Sequence, residues 1–310
     1  MSTKETITEY LSHELAQIFL SQPGRFWADL QEIRLRIGRP LIAVASGREC
    51  YFDVDGKPCA LTRSYIPTRQ DIEKTVSLIS NFSMYAFAEE LRGGYITIPG
   101  GHRVGLCGRV VTENGVIKTI RNLSALNFRL AHEIKGCADA IMGYIHDSDD
   151  VEHTMIISPP CCGKTTLLRD IIRQISDAGK TVSVVDERSE IAGCYMGVPQ
   201  NDIGARTDVL DGCPKATGIL LLLRAMSPKV IAVDEIGHAA DAAAIDEAYG
   251  AGIRLICTVH GRDTDEARSR PHISELIAKK IFTRYIVLRR PGGKAWVYDN
   301  DFKILKRGDE

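Results

Sequence analysis

One stretch constrains this chain more than any other: His153-Thr-Met-Ile-Ile-Ser158-Pro-Pro-Cys-Cys-Gly163-Lys164-Thr165-Thr166. Thr154 to Ile157 reads as a short buried strand and a turn-prone run follows. Leu167, Leu168, Ile171, Ile172 and Ile175 then recur at helical spacing as far as Asp177. Strand, loop and helix start, in that order, are what a nucleoside triphosphate site needs. Backbone N–H groups at the loop and helix start face the phosphates, a lysine neutralises the β/γ charge, and a hydroxyl holds Mg²⁺. The spacing sought is G-x-x-x-x-G-K-[ST], and Ser158 stands where the first glycine belongs. A cation in the first turn of a helix is disfavoured unless an anion is present, which favours a phosphate partner for Lys164 over a solvated lysine. ATP and Mg²⁺ are the expected cofactors. Ser158, Pro159, Pro160, Cys161, Cys162, Gly163, Lys164, Thr165 and Thr166 form the expected cradle, with Thr165 either the metal's hydroxyl ligand or a helix cap.

Three later strands also end in polar chemistry. Thr181 to Val185 runs into Asp186-Glu187-Arg188-Ser189-Glu190, Lys229 to Val233 into Asp234-Glu235, and Arg254 to Val259 into His260. Helical patterns over Gly218 to Met226 and Ala239 to Gly250 separate them, so the second half is α/β with a mostly parallel sheet covered on both faces. Ligands of such sheets bind at the C-terminal ends of the strands. Asp234 then reads as a hard-oxygen metal ligand, and Glu235 as the group that orients or deprotonates an attacking water. The plainer reading is a pair of acids capping the next helix. Asp186, Glu187 and Glu190 either position water and metal or pair structurally with Arg188 and other arginines. His260 either senses a γ-phosphate or is a satisfied histidine. Arg206 and Arg224 are candidate arginine fingers, groups worth about 10³–10⁵ in rate. Cys161 and Cys162 lack partners at ligand spacing, so no metal cluster is expected. A thiol beside Lys164 at a helix start is either open to oxidation or inert packing.

The first half reads as α+β. Residues 4–20 put Ile7, Tyr10, Leu11, Leu15, Ile18 and Phe19 on one helical face, and Glu32 to Ile37 alternates as a half-buried strand. Leu41 to Ala45 is a second strand, and Tyr51 to Val54 with Asp55-Gly56 suggests a hairpin. Thr68 and Asp71 signal the start of one helix, and Met84 to Arg92 forms another. Strands follow at Tyr95 to Ile98, Arg103 to Val111 and Val116 to Ile120, the last two joined across Asn114-Gly115. The acidic run 146–152 marks the expected joint between a 1–145 α+β domain and a 146–310 nucleotide domain. Arg34, Arg36, Arg39, His102, Arg103, Arg109, Arg121 and Arg129 are either a solvated face or a set reaching a neighbouring subunit or its nucleotide.

Bulk properties narrow the partners. Lys+Arg 39 against Asp+Glu 40 and only 6% aromatic residues argue against a stacking, basic nucleic-acid groove. The most apolar run, Ile219 to Leu223, is far short of the ~18–20 residues that span a bilayer, and nine cysteines without a C-x-x-C pair suit a reducing compartment. A cytoplasmic protein is expected.

Several segments together carry a resemblance. They are Glu32-Ile-Arg-Leu-Arg-Ile-Gly-Arg-Pro40, Gly94-Tyr-Ile-Thr-Ile-Pro-Gly-Gly-His-Arg-Val-Gly-Leu-Cys-Gly108, Asp208-Val-Leu-Asp-Gly-Cys-Pro-Lys215, Leu223-Arg-Ala-Met-Ser-Pro228, Val233-Asp-Glu-Ile-Gly237 and Thr258-Val-His-Gly261. Over nearly its whole length the chain resembles the stage III sporulation protein AA family, relatives of the type II and type IV secretion ATPases. The resemblance implies a RecA-like P-loop ATPase domain behind a smaller α+β domain, assembled as a homo-oligomeric, hexameric ring. It makes 186–190 the acidic box, Asp234-Glu235 the Walker B pair and His260 the histidine box. It also implies a place on the mother-cell face of a membrane channel to the forespore, with channel proteins as partners and ATP turnover powering assembly or transport. Similar proteins carry Gly-Pro-Pro-Gly-Cys-Gly-Lys-Thr-Thr in the loop, so Ser158 and Cys161 are departures. Left-handed backbone at either position costs a non-glycine residue about 1–2 kcal/mol, and slow turnover is expected. A structural or adaptor ring with weak hydrolysis is the alternative, and a nucleic-acid translocase on the same fold is a third reading.

Overall fold

Strand alternation builds the first of two units, residues 1–132 and 133–310. The computed structural model describes residues 2–81, 93–113, 115–147 and 150–309. The helix expected over Met84 to Arg92 and the turn residue Asn114 lie outside the described residues. In the first unit, β1 (Leu30–Arg36), β2 (Ile42–Ala45), β3 (Arg48–Cys50), β4 (Tyr95–Ile98), β5 (His102–Glu113) and β6 (Val116–Arg129) form an antiparallel sheet ordered β3-β2-β1-β6-β5-β4. Ile33 and Leu35 are buried, while Glu32, Arg34 and Arg36 share the other face opposite Arg129, Asn127 and Ala125 of β6. The buried face shares one core with Ile7, Leu15, Ile18 and Phe19 from helices α1 (Thr3–Glu9) and α2 (His13–Leu20), and with Ile72 and Ile79 of α4 (Arg69–Ile79). Between α2 and α4 lies α3 (Gly24–Asp29).

Two expectations for this unit are corrected, and a third is met in shortened form. The single helix over 4–20 breaks before His13, because Ser12 is turned toward a buried carboxylate: its Oγ donates to Asp71 Oδ1 at 2.7 Å and its N–H to Thr75 Oγ1 at 3.0 Å. The expected hairpin at 51–54 is present but short: Phe52 bridges Pro58, and the Cys59 and Asp53 N–H groups donate to the carbonyls of Tyr51 and Lys57, each at 3.0 Å, while β3 pairs separately with β2. His102 does not belong to the basic face. It is 3% exposed, and its Nδ1 accepts the Ala131 N–H at 3.0 Å. A Cβ on Gly100 would sit 2.8 Å from His102 Nε2, so this glycine turn is shaped around a core histidine.

The second unit carries an eight-stranded sheet ordered β14-β13-β12-β7-β11-β10-β8-β9. Its strands are β7 (Thr154–Ser158), β8 (Val182–Asp186), β9 (Thr207–Asp211), β10 (Val230–Val233), β11 (Arg254–His260), β12 (Arg284–Val287), β13 (Trp296–Asp299) and β14 (Ile304–Lys306). The six from β12 to β9 in that order are parallel, and β13 and β14 close one edge antiparallel. Successive strand residues point to opposite faces. Ile156, Val184, Ala232 and Ile256 pack with Leu168, Ile171 and Ile175 of α6 (Lys164–Asp177), after α5 (Asp139–Ile145). Met155, Val185, Ile231 and Leu255 pack with Ile219 of α7 (Lys215–Ala225), Ile245 of α8 (Ala239–Gly250) and, beyond α9 (Thr264–Ser269), Ile273 of α10 (Pro271–Ala278).

The two units divide after His132, earlier than the acidic joint implied. Ala138, Ile141 and Ile145 are buried in the second core, and the Ala138 N–H donates to Asp170 Oδ2 at 2.8 Å. The acidic run is docked by arginines rather than solvated as a linker: Asp150 takes Arg254 Nε at 2.8 Å and Glu152 takes Arg284 Nη2 at 2.6 Å.

Candidate functional site

Register brings the polar strand ends together. Ser158 of β7 pairs with His260 of β11, and Val233 of β10 lies between Cys257 of β11 and Val185 of β8. The 158–163 loop, Asp234-Glu235, His260 and Asp186 therefore share one edge of the sheet, as the order of strands and helices predicts. Pro159, Pro160, Cys161, Gly163, Lys164, Thr165, Thr166, Glu190, Glu235 and His260 line a cleft of about 500 Å³, the size of a small-molecule site.

The loop geometry separates its two departures. Ser158 is the last residue of β7, fully buried on extended backbone, with its Oγ donating to the Pro159 carbonyl at 2.8 Å. It needs no glycine. Cys161, exposed, has φ 61°, and Gly163 has φ 87° just before α6; Cys162 is buried. Cys161 thus carries the left-handed strain, about 1–2 kcal/mol.

Charge balances around Lys164, whose side chain is only 6% exposed. Its Nζ donates to Glu235 Oε1 at 2.9 Å and lies 3.6 Å from Asp234 Oδ1. These carboxylates offset both its burial and the unfavourable end of the α6 dipole. Thr165 Oγ1 donates to Asp234 Oδ2 at 2.7 Å. His260 Nε2 lies 2.8 Å from Glu235 Oε1, and Arg188 Nη1 donates to Glu235 Oε2 at 3.2 Å. Burial works to raise the Glu235 pKa, but the hydrogen bond and charge of Lys164, with His260 and Arg188, outweigh it and hold the carboxyl below its usual range. Glu235 itself has φ 54°, a strained backbone of the kind that gathers at functional sites.

The remaining expected residues divide. Asp186 is structural: Oδ1 accepts the Glu190 N–H at 2.8 Å, and Oδ2 those of Ile191 and Ala192 at 3.0 and 2.8 Å. Burial nonetheless pushes its pKa up, against those hydrogen bonds. Arg169 fastens the same turn through the carbonyls of Ile191 and Glu190 at 2.6 and 2.7 Å. Glu187 accepts from Lys215 Nζ and borders Asp234 and Glu235. Arg206 and Arg224 are not gathered here within the chain. Arg206 precedes β9, whose far end, Asp211, lies beside Asp186, so it is roughly 16 Å down the strand. Arg224 is near the end of α7, about 13 Å along the helix from Lys215, and lies 3.8 Å from Glu247. In a parallel sheet, strand starts and the ends of the returning helices face away from the ligand edge.

Thr258 is the residue the sequence reading passed over. Fully buried in β11, its Oγ1 donates to Asp234 Oδ1 and accepts the Glu235 N–H at 2.8 Å. One hydroxyl thereby orients the first acid and holds the second acid's turn. A hydroxyl inside the apolar run Leu255-Ile-Cys-Thr-Val259 was the available signal.

The family described as "Sporulation stage III, protein AA" matches residues 1–304. The chain belongs to that family. Stage III sporulation protein AA of Bacillus subtilis (strain 168) is 41% identical over 311 residues, 98% of this chain and 96% of that one. Among solved structures, the Legionella pneumophila ATPase DotB superposes with TM-score 0.54 at 18% identity, over 92% of this chain and 80% of that one. The pilus retraction motor PilT, solved with bound ADP, gives 0.53 at 15%, over 83% and 74%. These likenesses show the fold: this member of the sporulation family has a mixed α/β architecture like that of the ATPase DotB and the motor PilT. Among its described residues, no helix is long and apolar enough to cross a membrane.

Proposed function

We propose that the chain binds ATP in the 158–166 loop and hydrolyses it. One observation carries the reading: Lys164, Thr165, Asp234, Glu235 and His260 converge within hydrogen-bonding distance at one sheet edge. Gly163 and the first N–H groups of α6 receive the phosphates, and Lys164 exchanges its carboxylate partners for phosphate oxygens. Thr165 and Asp234, hard oxygens already in contact, fit Mg²⁺ and would hold it; when bound, the ion neutralises charge on the phosphates. Glu235 takes the proton of the attacking water, and His260 and Arg188 hold its carboxylate. Asp234 keeps its orientation through Thr258.

By family, the work done by hydrolysis belongs to sporulation. We assign it to a homo-oligomeric ring, of the hexameric kind, on the cytoplasmic, mother-cell side of a channel to the forespore, docked on membrane channel proteins. An arginine acting between subunits, Arg206 or Arg224 included, would be presented by a neighbour. The likeness to DotB, an ATPase, and to PilT, a motor solved with bound ADP, supports ATP as the substrate. The test is phosphate release by the purified protein beside Lys164→Ala. The variant should bind nucleotide about tenfold or more weakly and lose turnover, since it removes a buried cation from the phosphate site. Equal release from both proteins would mean an adaptor ring.

Cys161 favours working hydrolysis over that second reading. It holds φ 61° in the folded chain itself, so the strain is met on folding rather than on nucleotide binding. Cys161→Gly should therefore leave nucleotide affinity within about threefold and stability within about 1 kcal/mol, because relieved strain and added chain entropy oppose each other. Calorimetric titration and a denaturant melt read both; affinity rising tenfold would place the strain in the binding step.

A further inference from the structure

Lys215 is the first residue of α7, and its side chain is 11% exposed. A cation there opposes the helix dipole and loses water, so it is retained only against an anion. That anion is Glu187, which accepts a hydrogen bond from Lys215 Nζ. The pair borders a cavity of about 10 Å³ whose other walls include Glu190, Asp234, Glu235 and Arg188. Such a volume holds one water, with several polar partners around it. The backbone beyond Glu187 is fixed separately by Asp186 and Arg169, so what Lys215 governs is the direction of the Glu187 carboxylate.

We propose that Lys215 is a positioning residue for hydrolysis: it holds Glu187 against a one-water cavity shared with Asp234 and Glu235. The inference rests on the ATPase reading above. In the step, the water oxygen bonds to the γ-phosphorus as the bond to the β,γ-bridging oxygen breaks. ADP leaves with that oxygen, one water proton passes to Glu235, and the other stays on the phosphate. Glu187 accepts a hydrogen bond from the same water and sets its direction. Lys215 borders the water's cavity but not the nucleotide cleft, and acts on the step through Glu187. Without its ammonium, Glu187 becomes an unpaired carboxylate beside Glu190, Asp234 and Glu235 and turns toward solvent.

The test compares the parent chain with Lys215→Met, Lys215→Arg, Glu187→Gln and the double variant Lys215→Met/Glu187→Gln, by thermal melt, titration with a fluorescent ATP analogue, and phosphate release. Lys215→Met should bind the analogue within about threefold of the parent yet lose at least about tenfold in kcat, a loss confined to the chemical step. Lys215→Arg should recover most of that loss, and the double variant should be no slower than Glu187→Gln, since the two residues act as one unit. Parent-like turnover by Lys215→Met overturns the proposal. So does loss of analogue binding in step with turnover, or losses that multiply in the double variant. Should Lys215→Met fail to fold, Lys215→Arg decides: folded and inactive, it counts against the proposal; folded and active while Glu187→Gln is slow, it supports it. A parent that releases no phosphate overturns the ATPase reading and this proposal together, an outcome recognisable from the parent alone.

Discussion

Glu235→Gln is expected to lower kcat for ATP hydrolysis at least about a hundredfold, within the 10²–10⁴ that a positioned general base contributes. The carboxyl is held ionised by Lys164, His260 and Arg188 against the opposing pull of its burial, so it stands ready to accept a proton. Glutamine keeps the shape and an oxygen for Lys164 but cannot take that proton. It also removes one of the anions with which a phosphate must compete for Lys164, so nucleotide affinity should hold or rise. Phosphate release and analogue titration on one preparation separate the two effects. Parent-like turnover would remove Glu235 from the chemistry and leave it as a partner for Lys164, Arg188 and His260.

Stability should fall as the pH drops from about 6.5 toward 4, with one histidine in each unit responsible. Burial pushes the pKa of His102 down from 6.5 to about 4. It does the same to His153, helped by the Arg254 charge and opposed by Asp150 and Glu152. Below pH 6.5 the unfolded chain binds a proton at each site that the folded chain refuses. Stability therefore rises with pH through this window, and its loss on acidification is complete below the folded pKa. His102 accounts for up to about 3 kcal/mol of that loss, and His153, less deeply buried and among screened charges, for less. His102→Asn, which keeps an acceptor for the Ala131 N–H, should flatten the slope. Urea melts at pH 7 and pH 5 read the difference, and an unchanged slope would move the acid sensitivity elsewhere.

What could be read from the sequence follows from what each residue states about itself. Lys164 was legible because its neighbours specify strand, loop and helix. Asp234 and Glu235 were legible because four apolar residues announce the strand they end. The place of Arg206 was hidden because Thr207-Asp-Val-Leu-Asp211 has neither a long apolar run nor strict alternation to announce an edge strand of the parallel sheet, and so does not say which end Arg206 occupies. His102 looked basic because residue type says nothing of burial. Thr258 escaped because its role depends on the strand beside it, and strand order is not local information. Ser12 broke an otherwise regular helical face for a carboxylate 59 residues away in the chain.

The internal pairing of Lys164 has a kinetic consequence. A cleft whose central cation is already matched by Asp234 and Glu235 casts little net field into the solvent. Nucleotide capture then resembles ion exchange rather than attraction from afar. Its association rate should respond only weakly to added salt, and discrimination among anions should arise at close range, where phosphate displaces carboxylate.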